Sequence, residues 1–208
     1  MARVDFSFYL ITDRQQVRSR SLLDVCSAAL QAGVRAIQLR EKDLPTRSLL
    51  ALSRELSALT RQRGAHLMIN DRIDLALVLG TRAVHLPVRG ASPAVARRLL
   101  GDNALIGSSA HSADEAIHAE RAGADFVVLG PIFETPTKRA FGPPIGLEEL
   151  QRARRLCAIP LFGIGGITPA RVYEVTRAGA HGVAVVSSVM SAVDVERACI
   201  DFLTALKG

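Results

Sequence analysis

The segment QAGVRAIQLREK (31–42) contains the structural unit from which this chain is built. Its first residues indicate the end of a helix closed by glycine, and AIQLR (36–40) indicates a short apolar strand. The same helix–glycine–strand phrase returns as RAGADFVVL (121–129) and as RAGAHGVAV (177–185). A phrase that recurs in this way is typical of a duplicated βα unit.

Outward from that segment, eight short apolar runs alternate with amphipathic helical patterns along the chain. The runs are nearly continuous in Val, Ile, Leu or Phe, which is typical of parallel strands covered by helices. The segments between them carry Ser or Thr N-caps and C-terminal glycines, with Pro93 and Pro169 at first helical positions. The predicted strands are 6–12, 36–40, 66–70, 83–87, 104–109, 126–130, 160–165 and 182–187.

Two α/β architectures alternate strands and helices in this order, an open doubly wound sheet and a closed barrel. Eight evenly spaced units with no linker and no low-complexity segment favour the barrel. We therefore predict an α/β fold of the (β/α)8 TIM barrel type, with residues 1–208 forming a single domain. In either architecture, the functional side chains are expected just after the strands.

The charge balance favours an anionic small molecule over nucleic acid as the partner. The net charge is +6, but aromatic residues make up only 4% of the chain and no basic run reaches five residues. The basic residues are spread through the predicted helices, where they indicate solvated faces. The sequence does not determine the oligomeric state, and a homo-oligomer is compatible with it.

Three cysteines, Cys26, Cys157 and Cys199, lie far apart on apolar positions of helical patterns. They have no metal-ligand spacing, and their odd number argues against a disulfide framework, so we predict core thiols in a reducing compartment. The N-terminus MARVDFSFYLITD has no signal-peptide pattern, and no apolar run is long enough to span a membrane. The expected location is the cytoplasm.

Polar residues follow the predicted strands more densely than solubility requires. In a barrel, these residues meet at one rim. They are Thr12, Asp13, Gln38, Arg40, Glu41, Lys42, Asn70, Asp71, Arg72, Ser108, Ser109, His111, Thr135, Thr137, Lys138, Gly163, Gly165, Gly166, Ser187 and Ser188.

The alternation in QLREK (38–42) places Gln38, Arg40 and Lys42 on one side of their strand. In a barrel that side is the interior or its mouth, where two cations are costly without anionic partners. An internal salt bridge with Asp13 or Asp71 would satisfy them. A phosphate or pyrophosphate explains the pattern better.

GIGGIT (163–168) places a glycine-rich loop immediately before the helix that Pro169 begins. Glycine lets backbone N–H groups approach an anion, and a helix N-terminus adds favourable potential. A tight βα turn would also require glycine. The position after strand seven, with Val186, Ser187 and Ser188 ending strand eight, favours a phosphate site, since barrels of this kind usually build one there.

Asn70 and Asp71 offer amide and carboxylate oxygens that suit Mg²⁺ bound to substrate phosphates. The alternative role for Asp71 is to cap the next helix. His111 is a candidate proton carrier or phosphate donor. His66, His85, His118 and His181 are interpreted as structural or exposed. The long Gly- and Pro-rich segment 134–146 carries Thr135, Thr137 and Lys138, which are candidates to close on a pyrophosphate.

Taken together, these motifs resemble those of the thiamin phosphate synthase/TenI family over essentially the whole chain. The matching phrases are YLITD (9–13), QLREK (38–42), NDRIDLAL (70–77), IGSSAH (106–111), GADFVVLGPIFETPTK (123–138), GIGGIT (163–168) and GVAVVSS (182–188). Synthases of this family join hydroxymethylpyrimidine pyrophosphate to thiazole phosphate. Pyrophosphate leaves to give a pyrimidine cation, which the thiazole nitrogen captures.

The resemblance implies a role for each matching residue. Asp71 would bind Mg²⁺, and Lys138, Ser109 and His111 would be the residues closest to the chemistry. The residues implied for the pyrimidine pyrophosphate are Gln38, Arg40, Lys42, Asn70, Ser109 and Lys138. Those implied for the thiazole phosphate are Thr135, Thr137, Gly166, Val186 and Ser187.

The match departs from the synthase pattern after strand four. Synthases carry a Gly-Gln-x-Asp phrase there whose Asp is a second metal ligand, whereas this chain has HLPVRGASP (85–93), with Val88 or Arg89 near the expected acid. That phrase is similar to the TenI branch, whose activity is thiazole tautomerisation. Gly130-Pro131 and the ETPTK phrase match synthases instead. We predict a synthase-type transferase, with a tautomerase and a non-catalytic phosphate binder as alternatives.

Overall fold

The computed structural model describes residues 4–135 and 143–208. Each of the eight predicted apolar runs contains a strand. Seven of the observed strands begin and end within the predicted bounds, and the fifth ends one residue beyond them. They are β1 (Phe8–Ile11), β2 (Ala36–Leu39), β3 (His66–Asn70), β4 (Ala83–Leu86), β5 (Leu105–Ala110; predicted to end at residue 109), β6 (Phe126–Leu129), β7 (Leu161–Ile164) and β8 (Gly182–Val185).

The strands close into a parallel barrel in sequence order. Each strand pairs with the next along the chain, and β8 pairs with β1 through Tyr9 and Ala184. The predicted single-domain (β/α)8 TIM barrel is therefore confirmed, and the open doubly wound sheet is excluded because it would leave β1 and β8 unpaired with each other.

Helices cover the outside of the barrel within the described residues. They are α1 (Leu22–Gln31), α2 (Thr46–Gln62), α3 (Ile73–Leu79), α4 (Pro93–Leu100), α5 (Ala113–Arg121), α6 (Gly146–Leu156), α7 (Val172–Arg177), α8 (Ser187–Met190) and α9 (Val195–Ala205), with a 3₁₀ turn at Pro169–Arg171 before α7. The Ser21 hydroxyl caps α1, and Ser92 and Ser112 cap α4 and α5 in the same way. None of the helices in the described part of the chain is long and apolar enough to cross a membrane.

The core has two layers, and the inner one closes the barrel from its N-terminal end. Phe6, Tyr9, Phe126 and Phe162 are buried inside the strands, and the Phe6 and Phe126 rings meet edge to face with centroids 5.6 Å apart. The outer layer, between strands and helices, is aliphatic and includes Cys26, Cys157 and Cys199. The three thiols are buried and free, as predicted. Because aromatic rings fill the N-terminal half, the interior is open only at the C-terminal ends of the strands.

Candidate active site

A cavity of about 450 Å³ lies at the C-terminal mouth of the barrel. The sequence predicts the functional residues at this rim, because the C-terminal ends of the strands and the βα loops meet there. Its walls include most of the predicted site residues, namely Gln38, Arg40, Lys42, Asn70, Ser109, His111, Val186 and Ser187.

The QLREK strand end divides its side chains between two faces, as the alternation predicts. Gln38, Arg40 and Lys42 line the cavity. Glu41 is buried on the other side, where it accepts hydrogen bonds from the Thr12 hydroxyl at 2.7 Å and the Arg14 N–H at 3.1 Å. Burial raises the pKa of the Glu41 carboxyl, while these hydrogen bonds oppose the rise. Glu41 therefore anchors the β1–α1 loop and takes no part in the cavity.

The two cations of the cavity wall have no carboxylate partner in the part of the chain that the structure describes. Among the residues that the structure describes, neither Arg40 nor Lys42 forms an ion pair, so the salt bridge weighed as an alternative is not present. Asp13 is engaged elsewhere, accepting from the Gln16 amide at 2.6 Å and the Gln15 N–H at 3.1 Å. Unpaired cations in a concave site favour an anionic ligand.

Gln38, His85 and Ser109 line the floor of the cavity, and the buried Tyr9 hydroxyl links Gln38 to His85. Gln38 Nε2 donates to the Tyr9 hydroxyl at 3.0 Å, and that hydroxyl lies 3.4 Å from His85 Nδ1. The other ring nitrogen of His85, Nε2, lies 2.9 Å from Ser109 Oγ. Burial lowers the pKa of His85 to about 3, and the Arg40 guanidinium contributes in the same direction. The ring is therefore neutral at physiological pH.

Sequence reasoning missed His85 as a member of the site. It is buried, as a structural histidine would be, but it also lines the cavity and contacts the predicted residue Ser109. The sequence did carry one signal, the place of His85 in the strand alternation. In the apolar run AVHLP (83–87), His85 faces the same side of the strand as the residues two positions before and after it.

His111 lines the cavity wall, and Glu115 in the first turn of the following helix, α5, holds it there. Its backbone N–H donates to Glu115 Oε2 at 2.6 Å, and its Nδ1 lies 3.2 Å from the same oxygen. His66 and His181 lie at the opposite end of the barrel, where they contact Asp5 and the Phe6 carbonyl. These two fit the structural interpretation.

The far side of the cavity is built from the loops after β7 and β8. Gly165, Val186 and Ser187 line it, and α8 begins at Ser187 directly after β8. Gly165 and Gly166 have φ angles of 96° and 64°, and no hydrogen bond within the described residues uses their N–H groups. This combination of two loops and a short extra helix is the usual phosphate site of such barrels.

The β6–α6 loop packs directly on this glycine turn. The Ile132 N–H donates to the Ile164 carbonyl at 2.7 Å and the Phe133 N–H to the Gly165 carbonyl at 3.1 Å. A Cβ on Gly166 would lie 2.8 Å from the Glu134 carbonyl oxygen, so this close approach requires glycine. Gly166 therefore supports the loop that carries Thr135, while Gly165 faces the cavity; neither Gly166 nor Thr135 lines it.

Asp71 stands at the rim, next to the cavity residue Asn70. It is the single non-glycine residue of the described chain with a positive φ, 64°, a strained conformation that often marks functional sites. It does not cap α3, which begins after Arg72 without a side-chain cap. Within the described residues its carboxylate has no hydrogen-bond or ion-pair partner, so it is available to a ligand.

The position that faces Asp71 across the rim is Gly90, which corrects the expectation of Val88 or Arg89. A Cβ on Gly90 would lie 2.7 Å from Asp71 Oδ1. Counting the Gly-Gln-x-Asp phrase from Pro87 also puts its acid at residue 90. Val88 instead lines the cavity with an apolar side chain.

The donor set suits Mg²⁺ only with the help of a substrate. In residues 4–135 and 143–208, no group of three or more His, Cys, Asp or Glu side chains is arranged to hold a metal. Mg²⁺ is commonly bound by one or two carboxylates together with substrate phosphates. Asp71, with Asn70 beside it, fits a site of that kind. Thr137 and Lys138 lie outside the described residues.

Comparison with known proteins gives a consistent result. The family model described as thiamine monophosphate synthase matches residues 8–189, from β1 into α8. The thiamine-phosphate synthase of Roseiflexus castenholzii is 45% identical over 190 residues, covering 91% of this chain and 83% of that protein. That of Chloroflexus aurantiacus is 45% identical over 195 residues, covering 94% and 90%.

A solved structure agrees with these sequence relatives. The thiamine phosphate pyrophosphorylase from Pyrococcus furiosus superimposes with a TM-score of 0.87 at 34% identity, covering 97% of this chain and 95% of that one. The resemblance inferred from the motifs is confirmed, and the chain belongs to the thiamine monophosphate synthase family.

Proposed function

We propose that this protein is a transferase that joins hydroxymethylpyrimidine pyrophosphate to thiazole phosphate and releases pyrophosphate. The observation that carries the proposal is that Arg40 and Lys42, both without a carboxylate partner among the described residues, share one cavity with the glycine turn after β7. One cavity thus offers separate places for two anionic groups, as a reaction between two phosphorylated substrates requires. The relatives' names point to the same reaction.

The pyrimidine pyrophosphate occupies the side of the cavity formed by β2, β3 and β5. Gln38 and Ser109 hold the heterocycle from the floor, and Arg40, Lys42 and Asn70 bind the pyrophosphate. Lys138, which lies outside the described residues, is assigned to the same pyrophosphate by the family pattern. The cations act because negative charge accumulates on the pyrophosphate as its carbon–oxygen bond breaks.

Asp71 and Asn70 would hold Mg²⁺ against the pyrophosphate. When bound, the ion neutralises charge on the leaving group. Arg40 and Lys42, at the end of the neighbouring strand β2, do the same.

The thiazole phosphate occupies the side formed by β7 and β8. The Gly165 N–H group, the Ser187 side chain and the start of α8 receive its phosphate, while Gly166 supports the β6–α6 loop. The family pattern assigns Thr135 and Thr137 to the same phosphate, and Thr137 lies outside the described residues. Binding at this place presents the thiazole nitrogen to the pyrimidine carbon that the pyrophosphate leaves.

The relatives' names favour the synthase over the tautomerase and the non-catalytic binder. His111, the proton carrier that a tautomerase would need, is paired with Glu115 at the rim. We also propose a cytoplasmic location, which suits three free buried thiols. The oligomeric state stays open.

The direct test is turnover. Purified protein is incubated with both substrates and Mg²⁺, and thiamin phosphate is followed by fluorescence after oxidation. Arg40→Ala is expected to lower kcat/KM about 100-fold or more, since it removes a charged contact to the leaving group. Arg54→Ala removes an exposed arginine of α2 and is the matched control. Absence of turnover with retained binding of thiazole phosphate would refute the proposal.

A further inference from the structure

We propose that His85 is a positioning residue whose Nε2–H fixes the Ser109 hydroxyl as a hydrogen-bond donor to the heterocycle. The inference rests on the proposed function, because it specifies how the cavity floor recognises the pyrimidine. It is carried by the hydrogen-bond chain from Gln38 through Tyr9 and His85 to Ser109.

The direction of each hydrogen bond in this chain follows from the first one. Gln38 Nε2–H donates to the Tyr9 hydroxyl oxygen at 3.0 Å. Tyr9 is completely buried, and the acceptor within reach of its own O–H hydrogen is His85 Nδ1, at 3.4 Å. An imidazole that accepts at Nδ1 carries its proton on Nε2, so it donates to Ser109 Oγ at 2.9 Å.

The opposite tautomer leaves a buried group unsatisfied. If His85 Nδ1 carried the proton, it would donate to Tyr9, which would then accept two hydrogen bonds and have no acceptor for its O–H hydrogen among the described residues. The Phe126 and Phe162 rings lie beside Tyr9, with centroids 5.5 Å and 6.2 Å from the Tyr9 ring centroid. They carry no oxygen or nitrogen atom that could accept the hydroxyl hydrogen. Burying an unpaired hydroxyl hydrogen is costly, which selects the Nε2–H form.

The surroundings hold the His85 ring in place. The ring packs against Phe126 with centroids 6.0 Å apart, and a Cβ on Gly107 would lie 2.7 Å from His85 Nδ1, so this glycine makes room for the imidazole. The ring is therefore confined to one orientation.

The consequence is a floor with a fixed hydrogen-bond pattern. Ser109 accepts from His85, so its own hydrogen is free to donate into the cavity. Gln38 uses its amide nitrogen on Tyr9, so its carbonyl oxygen is free to accept. An aminopyrimidine, which has an amino N–H next to a ring nitrogen acceptor, complements this pair. The corresponding oxo-pyrimidine presents the opposite pattern and is rejected.

The test compares two substitutions that keep different parts of the imidazole. His85→Gln keeps an N–H near the Nε2 position, and His85→Asn keeps polar atoms only near Nδ1. We expect about a tenfold loss of kcat/KM for the pyrimidine substrate in His85→Asn, a smaller loss in His85→Gln, and unchanged KM for thiazole phosphate. Discrimination against the oxo-pyrimidine substrate falls in His85→Asn, because the Ser109 hydroxyl is then free to rotate.

A double-mutant cycle separates action through Ser109 from a general packing effect. Since His85 acts through Ser109, adding His85→Asn to Ser109→Ala is expected to cost nothing further in kcat/KM. Independent, multiplying losses would overturn the inference. Thermal unfolding of all variants identifies any that fail to fold, and Gly107 and Phe126 are left unchanged to preserve the packing.

The tautomer can be measured without turnover. In wild-type protein with ¹⁵N-labelled histidine rings at neutral pH, one histidine is expected to show the signals of the Nε2-protonated tautomer. The His85→Gln spectrum, which lacks those signals, assigns them. A His85 protonated on Nδ1 would refute the inference even if the enzyme is an active synthase. A correct tautomer without turnover would instead count against the proposed function.

Discussion

Placing an acid at residue 90 tests whether the rim beside Asp71 is a metal position. A Cβ on Gly90 would lie 2.7 Å from Asp71 Oδ1, and the backbone there is outside the left-handed region, so Gly90→Asp is compatible with the backbone conformation. The added Cβ is too close to Asp71 Oδ1, so the Asp71 side chain must turn to admit it. Two like charges about 4 Å apart repel by about 1 kcal/mol in a water-like medium and about 4 kcal/mol at an effective dielectric constant of 20.

Because Asp71 is exposed, the lower figure applies, and metal-free Gly90→Asp is expected to be about 1 kcal/mol less stable than Gly90→Asn. Gly90→Asn is the matched control, since it has the same size and the same contact with Pro87, whose Cδ lies 2.9 Å from the added Cβ. Mg²⁺ removes the repulsion and uses both carboxylates. At a concentration of about 100 times Kd, the ion adds about 2.7 kcal/mol to the free energy of unfolding.

The assay is urea unfolding of both variants and of wild type, with and without Mg²⁺. We expect a Mg²⁺-dependent shift of the midpoint in Gly90→Asp that is much larger than in wild type or Gly90→Asn. The added substitution Asp71→Asn is expected to abolish the shift. Equal Mg²⁺ responses in Gly90→Asp and Gly90→Asn would refute the argument that residues 71 and 90 share one metal position.

Three further predictions concern stability. Gly107→Ala places a Cβ 2.4 Å from Phe126 Cζ, so it is expected to destabilise the fold by about 1–3 kcal/mol in urea unfolding, and a neutral result would contradict the tight packing around His85. Asp125 is buried, accepts from the Ile106 N–H at 2.7 Å and pairs with Arg97 at 2.8 Å. Asp125→Ala is expected to cost about 3–5 kcal/mol, whereas Asp114→Ala, which breaks an exposed pair with Arg152, costs less than about 1 kcal/mol; similar losses would contradict this ranking. The third prediction follows from the pKa of His85, lowered from 6.5 to about 3. The folded state keeps His85 neutral, whereas His85 in the unfolded chain takes up a proton below about pH 6.5. The contribution of His85 to the free energy of unfolding is therefore full above that pH. It is lost on acidification, by about 2 kcal/mol at about pH 5. His85→Gln is expected to lack this part of the loss in urea unfolding at the two pH values, and parallel curves for both proteins would contradict it.

Much of the candidate site was predictable because side-chain parity is a local property. The alternation of Gln38, Arg40 and Lys42 was sufficient to place them in the cavity and to separate them from Glu41. The glycine turn after β7 was recognisable because glycine is required where φ is positive. Thr137 and Lys138 stay predictions from the resemblance.

Contacts between distant strands were not predictable in the same way. His85 meets Tyr9 and Ser109, residues 76 and 24 positions away, only because barrel closure and strand register bring β1, β4 and β5 together. In the sequence it was one histidine in an apolar run. The acid position opposite Asp71 was misplaced by one or two residues for a different reason. Counting the Gly-Gln-x-Asp phrase from Pro87 puts it at residue 90, and the direction of the Gly90 Cα–Cβ bond agrees.

The sequence by itself determined the architecture and the family. Apolar runs, helix caps and recurring glycines are read locally, and their order along the chain is preserved in the barrel. Only the tertiary structure decided which polar groups face one another. Three features depend on distances between segments far apart in sequence. They are the lack of an ion pair at Arg40 and Lys42 among the described residues, the contact of His85 with Ser109, and the approach of Gly90 to Asp71. A local pattern specifies the face of the strand on which a residue lies, but not which residue lies opposite it across the cavity. Such distances therefore depend on how the closed barrel packs.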